Sequence, residues 1–149
     1  MLPNTPFGYS IFCDDLREEV RNKFTYVGVY NDSLVVDSDF PVTLPRFCIV
    51  ATYAQRNSDD TRPIKLRVTM PGTDGPEVIV EGAIPETTFT GPDDPELEDP
   101  ITFAAVNILL SPFTIHAPGL ILVRAFYGDE EIKLGSLKVV RAPVVSVDG

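Results

Sequence analysis

The residues best suited to nucleophilic chemistry are a single histidine, His116, and two cysteines, Cys13 and Cys48. A catalytic thiol needs a base within hydrogen-bond reach, and His116 is the only imidazole that could serve. No catalytic signature surrounds either cysteine, and His116 stands between Pro112 and Pro118 in an expected loop. Zinc sites normally use several His or Cys ligands. We therefore expect a surface-loop histidine, two buried thiols and no cofactor.

Carboxylates offer a second kind of chemistry. The densest group carries five negative charges within seven residues. It consists of Asp93, Asp94, Glu96, Glu98 and Asp99. Such a loop could dock a basic protein partner by electrostatic steering, and the competing interpretation is a solvated loop that aids solubility. Acidic loops meeting at one end of a β-sandwich could also bind calcium, although no EF-hand-type loop occurs.

A smaller charged group, Asp14, Asp15 and Arg17, follows the first apolar segment. We predict that this group forms a structural corner, in which one aspartate caps a turn and also holds Arg17. If so, replacing Arg17 with alanine should lower the melting temperature.

Length and charge limit the possible partners. The chain has 149 residues, a length that suits one domain over residues 1–149. Its formal net charge is −10. An acidic chain repels phosphate backbones and anionic lipid, so we expect neither nucleic acid nor membrane as a partner. No apolar stretch is long enough for a spanning helix and no leader peptide is evident, which predicts a cytoplasmic protein.

The sequence predicts that short β-strands position these residues. Fourteen prolines and many brief apolar segments favour an all-β domain. We predict a single-domain antiparallel β-sandwich, immunoglobulin-like or C2-like, with about eight strands and a long acidic loop at 85–100. Asp14 or Asp15 could cap one short helix near residues 15–22, with Leu16 and Val20 on its buried side.

Two hairpins are the clearest local predictions. From 64 to 84, apolar residues alternate with Lys65 and Arg67, then with Glu77 and Glu81, which should pair across the ladder. A second hairpin surrounds Gly128-Asp129. In its last strand the apolar parity changes, which predicts a β-bulge at Gly135-Ser136.

One part of the chain resembles a known family. The matching segments are Phe12-Cys13-Asp14-Asp15-Leu16-Arg17, Lys23-Phe24, Gly28-Val29-Tyr30, Phe40-Pro41-Val42, Leu44-Pro45 and Phe47-Cys48-Ile49. They resemble a family of small bacterial proteins of unknown function, with its CDD-apolar-Arg and K-F-x-x-x-G-x-Y patterns, and the likeness covers about the first third of the chain. The resemblance implies no activity.

The sequence leaves several functions open. The first is a non-enzymatic protein-interaction module that acts through the acidic loop or an exposed sheet edge, on a partner that could carry a basic surface. The second is a calcium- or ligand-binding C2-like module. The third is an enzyme with its site at one end of the sandwich. A self-associating subunit, and hence a homo-oligomer, is a further alternative.

Overall fold

The computed structural model describes residues 6–56, 63–85, 89–90, 96 and 100–143. Within this part of the chain every regular element is a β-strand. The strands are β1 (Phe7–Glu19), β2 (Lys23–Tyr30), β3 (Ser33–Val36), β4 (Val42–Leu44), β5 (Phe47–Arg56), β6 (Ile64–Gly72), β7 (Gly75–Ala83), β8 (Phe89–Thr90), β9 (Ile101–Leu110), β10 (Phe113–Ile115), β11 (Gly119–Tyr127) and β12 (Glu130–Arg141). The all-β prediction is confirmed.

The strands form two five-stranded sheets and one small ribbon. Sheet A has the order β2-β1-β5-β9-β8, and sheet B has the order β3-β12-β11-β6-β7. Strands β4 and β10 pair separately. All neighbours are antiparallel except β3 and β12, which run parallel. The four shortest strands raise the total among the described residues to twelve, which exceeds the predicted number of about eight.

The hydrophobic core lies between the two sheets. Strand β5 contributes its odd-numbered side chains, including Phe47, Ile49 and Tyr53, all nearly inaccessible. Strand β11 faces them with Ile121 and Val123, which are fully buried. Because side chains alternate across a strand, the even-numbered side chains of β5 must point away from sheet B. This alternation decides what the outer surface of sheet A carries.

The predicted short helix near residues 15–22 is wrong. Strand β1 continues to Glu19, and Glu19 pairs directly with Lys23 of β2. The intervening turn places Arg21 and Asn22 in the left-handed region, at φ of 63° and 56°. The ladder with β2 satisfies the backbone groups that a helix would otherwise pair internally. Val20, expected on a buried helix face, is instead 78% exposed.

The predicted hairpins are confirmed with two refinements. In the β6–β7 ladder, Glu81 lies opposite Arg67, whereas Glu77 lies opposite Met70 and cannot share that ion pair. In the β11–β12 ladder, Val123 pairs with Gly135 but Arg124 pairs with Lys133, so Leu134 is the inserted residue. The predicted bulge therefore exists, one residue earlier than expected.

None of the residues described by the structure belongs to a helix that could cross a membrane.

Candidate functional site

The charged corner of the sequence lies on the long β1–β2 hairpin. Asp15 Oδ1 accepts a hydrogen bond from Arg46 Nη1 at 2.8 Å, while Arg17 Nε is 4.0 Å from Asp15 Oδ2. The hydrogen bond from Arg46 is the main reason that the pKa of Asp15 falls below its ordinary value. Arg17 is 68% exposed. The short contact of Asp15 is thus with Arg46, an arginine that the sequence did not single out.

Asp14 has a different role on the same hairpin. Its Oδ1 accepts a hydrogen bond from the Tyr30 hydroxyl, and burial, reinforced by this contact, raises the pKa of Tyr30. Its carboxylate also covers Gly28, where a Cβ would lie 2.2 Å from Asp14 Oδ2. Gly28 has φ +66°, which is costly for other residues. The aspartate therefore holds the hairpin together locally.

The two cysteines face each other across sheet A. Cys13 pairs with Cys48 between β1 and β5, and both are buried free thiols. Burial, with the neighbouring Cys48 and Asp14, raises the pKa of Cys13 to about 11, and burial also raises the pKa of Cys48. Thiols with raised pKa are poor nucleophiles at neutral pH. His116 is exposed between β10 and β11 and makes no hydrogen bond to either cysteine.

The acidic docking loop falls mostly outside the described residues. Asp93, Asp94, Glu98 and Asp99 lie there, and of the group only Glu96 is described, as an exposed turn residue. The docking loop therefore stays a prediction. Within the described residues, no group of three or more His, Cys, Asp or Glu side chains could hold a metal ion.

The most distinctive surface is the side of sheet A that points away from sheet B. We call it outer face A and define it by four registered rows of side chains. The rows are Val29–Cys13–Cys48–Leu109, Ile11–Val50–Asn107, Tyr9–Thr52–Ala105 and Phe7–Ala54–Phe103. These thirteen side chains include no Asp, Glu, Lys, Arg or His.

Outer face A has tall exposed side chains around a buried centre. Tyr9 is 52% exposed, Val29 50%, Phe103 41% and Leu109 55%. In contrast, the β5 side chains within these four rows are nearly inaccessible; Val50 is only 4% exposed. The uncharged area ends at the next row, where Asp15 meets Arg46. A contiguous exposed apolar patch on a soluble protein commonly marks an interaction site.

The corresponding side of sheet B, outer face B, carries many charges. Its outward side chains include five basic and two acidic residues. They are Lys65, Arg67, Arg124, Lys133, Lys138, Glu81 and Glu131. Several are paired: Glu81 binds both Lys65 and Arg67 at 2.5 and 2.8 Å, and the Arg67 guanidinium stacks 4.6 Å above the Phe126 ring. Outer face B is therefore typical of a solvent-exposed sheet surface.

A separate apolar pocket lies where outer face B meets the β6–β7 turn. Its volume is about 350 Å³. The lining includes Met70, Pro71, Pro76, Pro118, Leu120 and Leu122. It contains no charged side chain that could orient a polar ligand, and so it does not resemble a catalytic cleft.

A family model described as Family of unknown function (DUF6941) matches residues 8–140. The chain belongs to this family. The DUF6941 match runs from the second residue of β1 to the penultimate residue of β12, and therefore includes both outer faces apart from Phe7. No curated protein and no solved structure gives a significant match. Membership in DUF6941 assigns no activity, so function must be argued from the surfaces.

The sequence did not single out outer face A as a site, although the signal was present. Strand β5 is apolar on both faces and begins with the sequence FCIVATYA. Strand β9 is a near-continuous apolar segment. In a two-layered sandwich only one face of each strand can enter the core. A strand that is apolar on both faces therefore exposes apolar surface unless something else covers it.

Proposed function

We propose that this DUF6941 chain is a protein-binding β-sandwich whose binding surface is outer face A. The observation that supports this proposal is a four-row sheet face without a formal charge, on a chain whose net charge is −10. Burying a Leu, Val or Phe side chain fully is worth about 1.5–3 kcal/mol. Tyr9, Val29, Phe103 and Leu109 retain part of that free energy for a partner because they stay half exposed.

The character of the face also favours a macromolecular ligand. A small-molecule site is concave and contains a few convergent polar groups, whereas outer face A is a sheet surface whose exposed polar groups are few. Asn107 lies in its second row as an exposed amide. Protein interfaces combine an apolar centre with a polar rim, and here Asp15 and Arg46 supply charge at one end.

The test uses two leucines with matched exposure on opposite sides of the sandwich. Leu109 on outer face A is 55% exposed, and Leu120 on outer face B is 50% exposed. Each is replaced by lysine in a tagged chain, which then captures proteins from a lysate of the source cells. We expect at least one protein to bind the native chain and Leu120→Lys but to be lost with Leu109→Lys.

Circular dichroism and melting curves of both variants establish that the fold is intact. If every captured protein binds Leu109→Lys as well as the native chain, outer face A is not the binding surface. If a protein is lost only with Leu120→Lys, the surface is instead the pocket beside that residue, since Leu120 lines it.

A further inference from the structure

We infer that the partner of outer face A is a second copy of this chain, stacked sheet against sheet about a two-fold axis. This inference rests on the proposed function, because it names the occupant of the same surface.

The first argument is chemical complementarity. None of the thirteen side chains of outer face A is charged, and the described charges in the neighbouring rows are already engaged: Asp15 binds Arg46, and Arg56 has an interaction of its own. Its complement must therefore be a broad surface that is itself uncharged and apolar. The described part of this chain provides one such sheet face, namely outer face A. In a two-fold dimer the same patch on both subunits meets itself.

The second argument is shape. Sheet A already packs one side against sheet B, and stacked sheets lie about 10 Å apart with interdigitated side chains. On outer face A, the central strand β5 carries low, buried side chains such as Val50 and Ala54. Tall side chains such as Tyr9 and Leu109 stand on the strands either side of it. With a lateral offset, the tall side chains of one copy fit over the central strand of the other.

The third argument concerns charge. Two chains of net charge −10 repel each other, and this repulsion is least where neither surface carries a charge. Screening at higher ionic strength weakens the repulsion between the remaining parts of the two molecules. The dimer should therefore tighten as sodium chloride rises from low to moderate concentration. A complex held by a basic partner would weaken under the same change.

The size of the face sets the expected strength. Three to four strands at about 4.8 Å, over about 20 Å of strand length, give a footprint on the order of 350 Å². A standard interface buries about 800 Å² on each partner. We therefore expect a weak, reversible dimer rather than an obligate one.

The experiment measures self-association of the purified chain by sedimentation velocity from about 5 to 500 µM. The key variant is Asn107→Lys, which places a charge in the middle of outer face A at an already polar, exposed side chain. Its control is Ser136→Lys, an exposed polar side chain on β12 that faces Leu122 on outer face B. Both variants change the net charge equally.

We expect concentration-dependent dimers for the native chain and Ser136→Lys, and at least a tenfold weaker dimer for Asn107→Lys. Monomers at every concentration, or a dimer that Asn107→Lys leaves unchanged, would overturn the inference. Should Asn107→Lys melt early, Leu109→Lys serves as a second probe. The proposed function is a separate claim. It is refuted if no captured protein is lost with Leu109→Lys while still binding Leu120→Lys. A monomeric chain that still captures a different protein through outer face A refutes only the dimer.

Discussion

Outer face A and outer face B are the two solvent-directed sides of one sandwich, each formed by a five-stranded sheet. Outer face B follows the usual pattern, in which charged side chains alternate with core residues, as Lys65 and Arg67 alternate with Leu66 and Val68. Outer face A breaks that pattern, because β5 is buried on both sides. The difference teaches that sheet A has the composition of an inner layer, although among the described residues only one layer, sheet B, packs against it.

The strongest test of this difference between the two faces is to place a carboxylate on the central strand of each sheet. Val50→Asp puts a charge where the native side chain is only 4% exposed, and Leu122→Asp puts one at a half-buried position that also points outward. An uncompensated buried charge costs about 3–5 kcal/mol. We expect Val50→Asp to lower the free energy of unfolding by that amount and Leu122→Asp by about 1–2 kcal/mol.

Urea denaturation followed by circular dichroism measures both values. Equal losses of unfolding free energy would mean that the outward side of β5 is no more buried than the outward side of β11. The described difference between the two faces would then be wrong.

A second prediction compares thiols on the two faces. Cys13 has a pKa raised to about 11 and is fully buried, whereas a cysteine introduced by Ser136→Cys would be exposed on outer face B. At pH 8, the thiolate fraction of a thiol with pKa 11 is about a hundredfold below that of an ordinary cysteine. We expect both native thiols to react with a disulfide reagent at least about tenfold more slowly than the thiol introduced by Ser136→Cys, because burial lowers their thiolate fraction and limits access. Comparable rates would show that Cys13 and Cys48 are accessible.

Much of the fold followed from alternation and turn chemistry. Ile64 to Ile84 was predicted as a hairpin because Ile64, Leu66, Val68 and Met70 alternate with polar residues, and this periodicity is a direct consequence of strand geometry. The bulge in β12 followed from a change of apolar parity, since Leu134 and Leu137 both enter the core. Both are local properties of the chain, so sequence alone could reveal them.

One error, the helix, and two omissions came from interactions that sequence spacing does not encode. Leu16 and Val20 have helical spacing, yet pairing with β2 extends the strand through this segment. Arg46 is separated from Asp15 by 31 positions, so the partner of Asp15 could not be read from its neighbours. Outer face A was missed for a related reason, because its rows are assembled from four strands whose order the sequence does not state.

The third prediction concerns the ion pairs of outer face B. Hydrogen bonds from Lys65, and then from Arg67, hold the pKa of Glu81 below its ordinary value of 4.5. A carboxylate with a lowered folded-state pKa adds stability above its unfolded pKa, and this stability disappears as the pH falls through the folded-state value. Glu81→Gln should therefore melt below the native chain at pH 7 by a small margin, and the margin should shrink as the pH is lowered below 4.5.

The control is Glu77→Gln on the same strand, since Glu77 lies opposite Met70 and has no ion pair within the described residues. A margin for Glu81→Gln that persists unchanged at pH 3 would show that the carboxylate acts by packing rather than by charge.

The smallest effect lies at the boundary of outer face A, where Asp15 has two arginine neighbours. Arg46 is 2.8 Å from Asp15 and 46% exposed, whereas Arg17 is 4.0 Å away and 68% exposed. Exposed ion pairs contribute little and are weakened by salt. We expect Arg46→Ala to lower the melting temperature slightly at low salt and Arg17→Ala to lower it less, with the difference vanishing in 1 M sodium chloride. If Arg17→Ala is instead the more damaging change, Arg17 is the main ion-pair partner of Asp15, as the sequence alone predicted. The cation at the boundary of outer face A would then lie on the β1–β2 hairpin rather than next to β5.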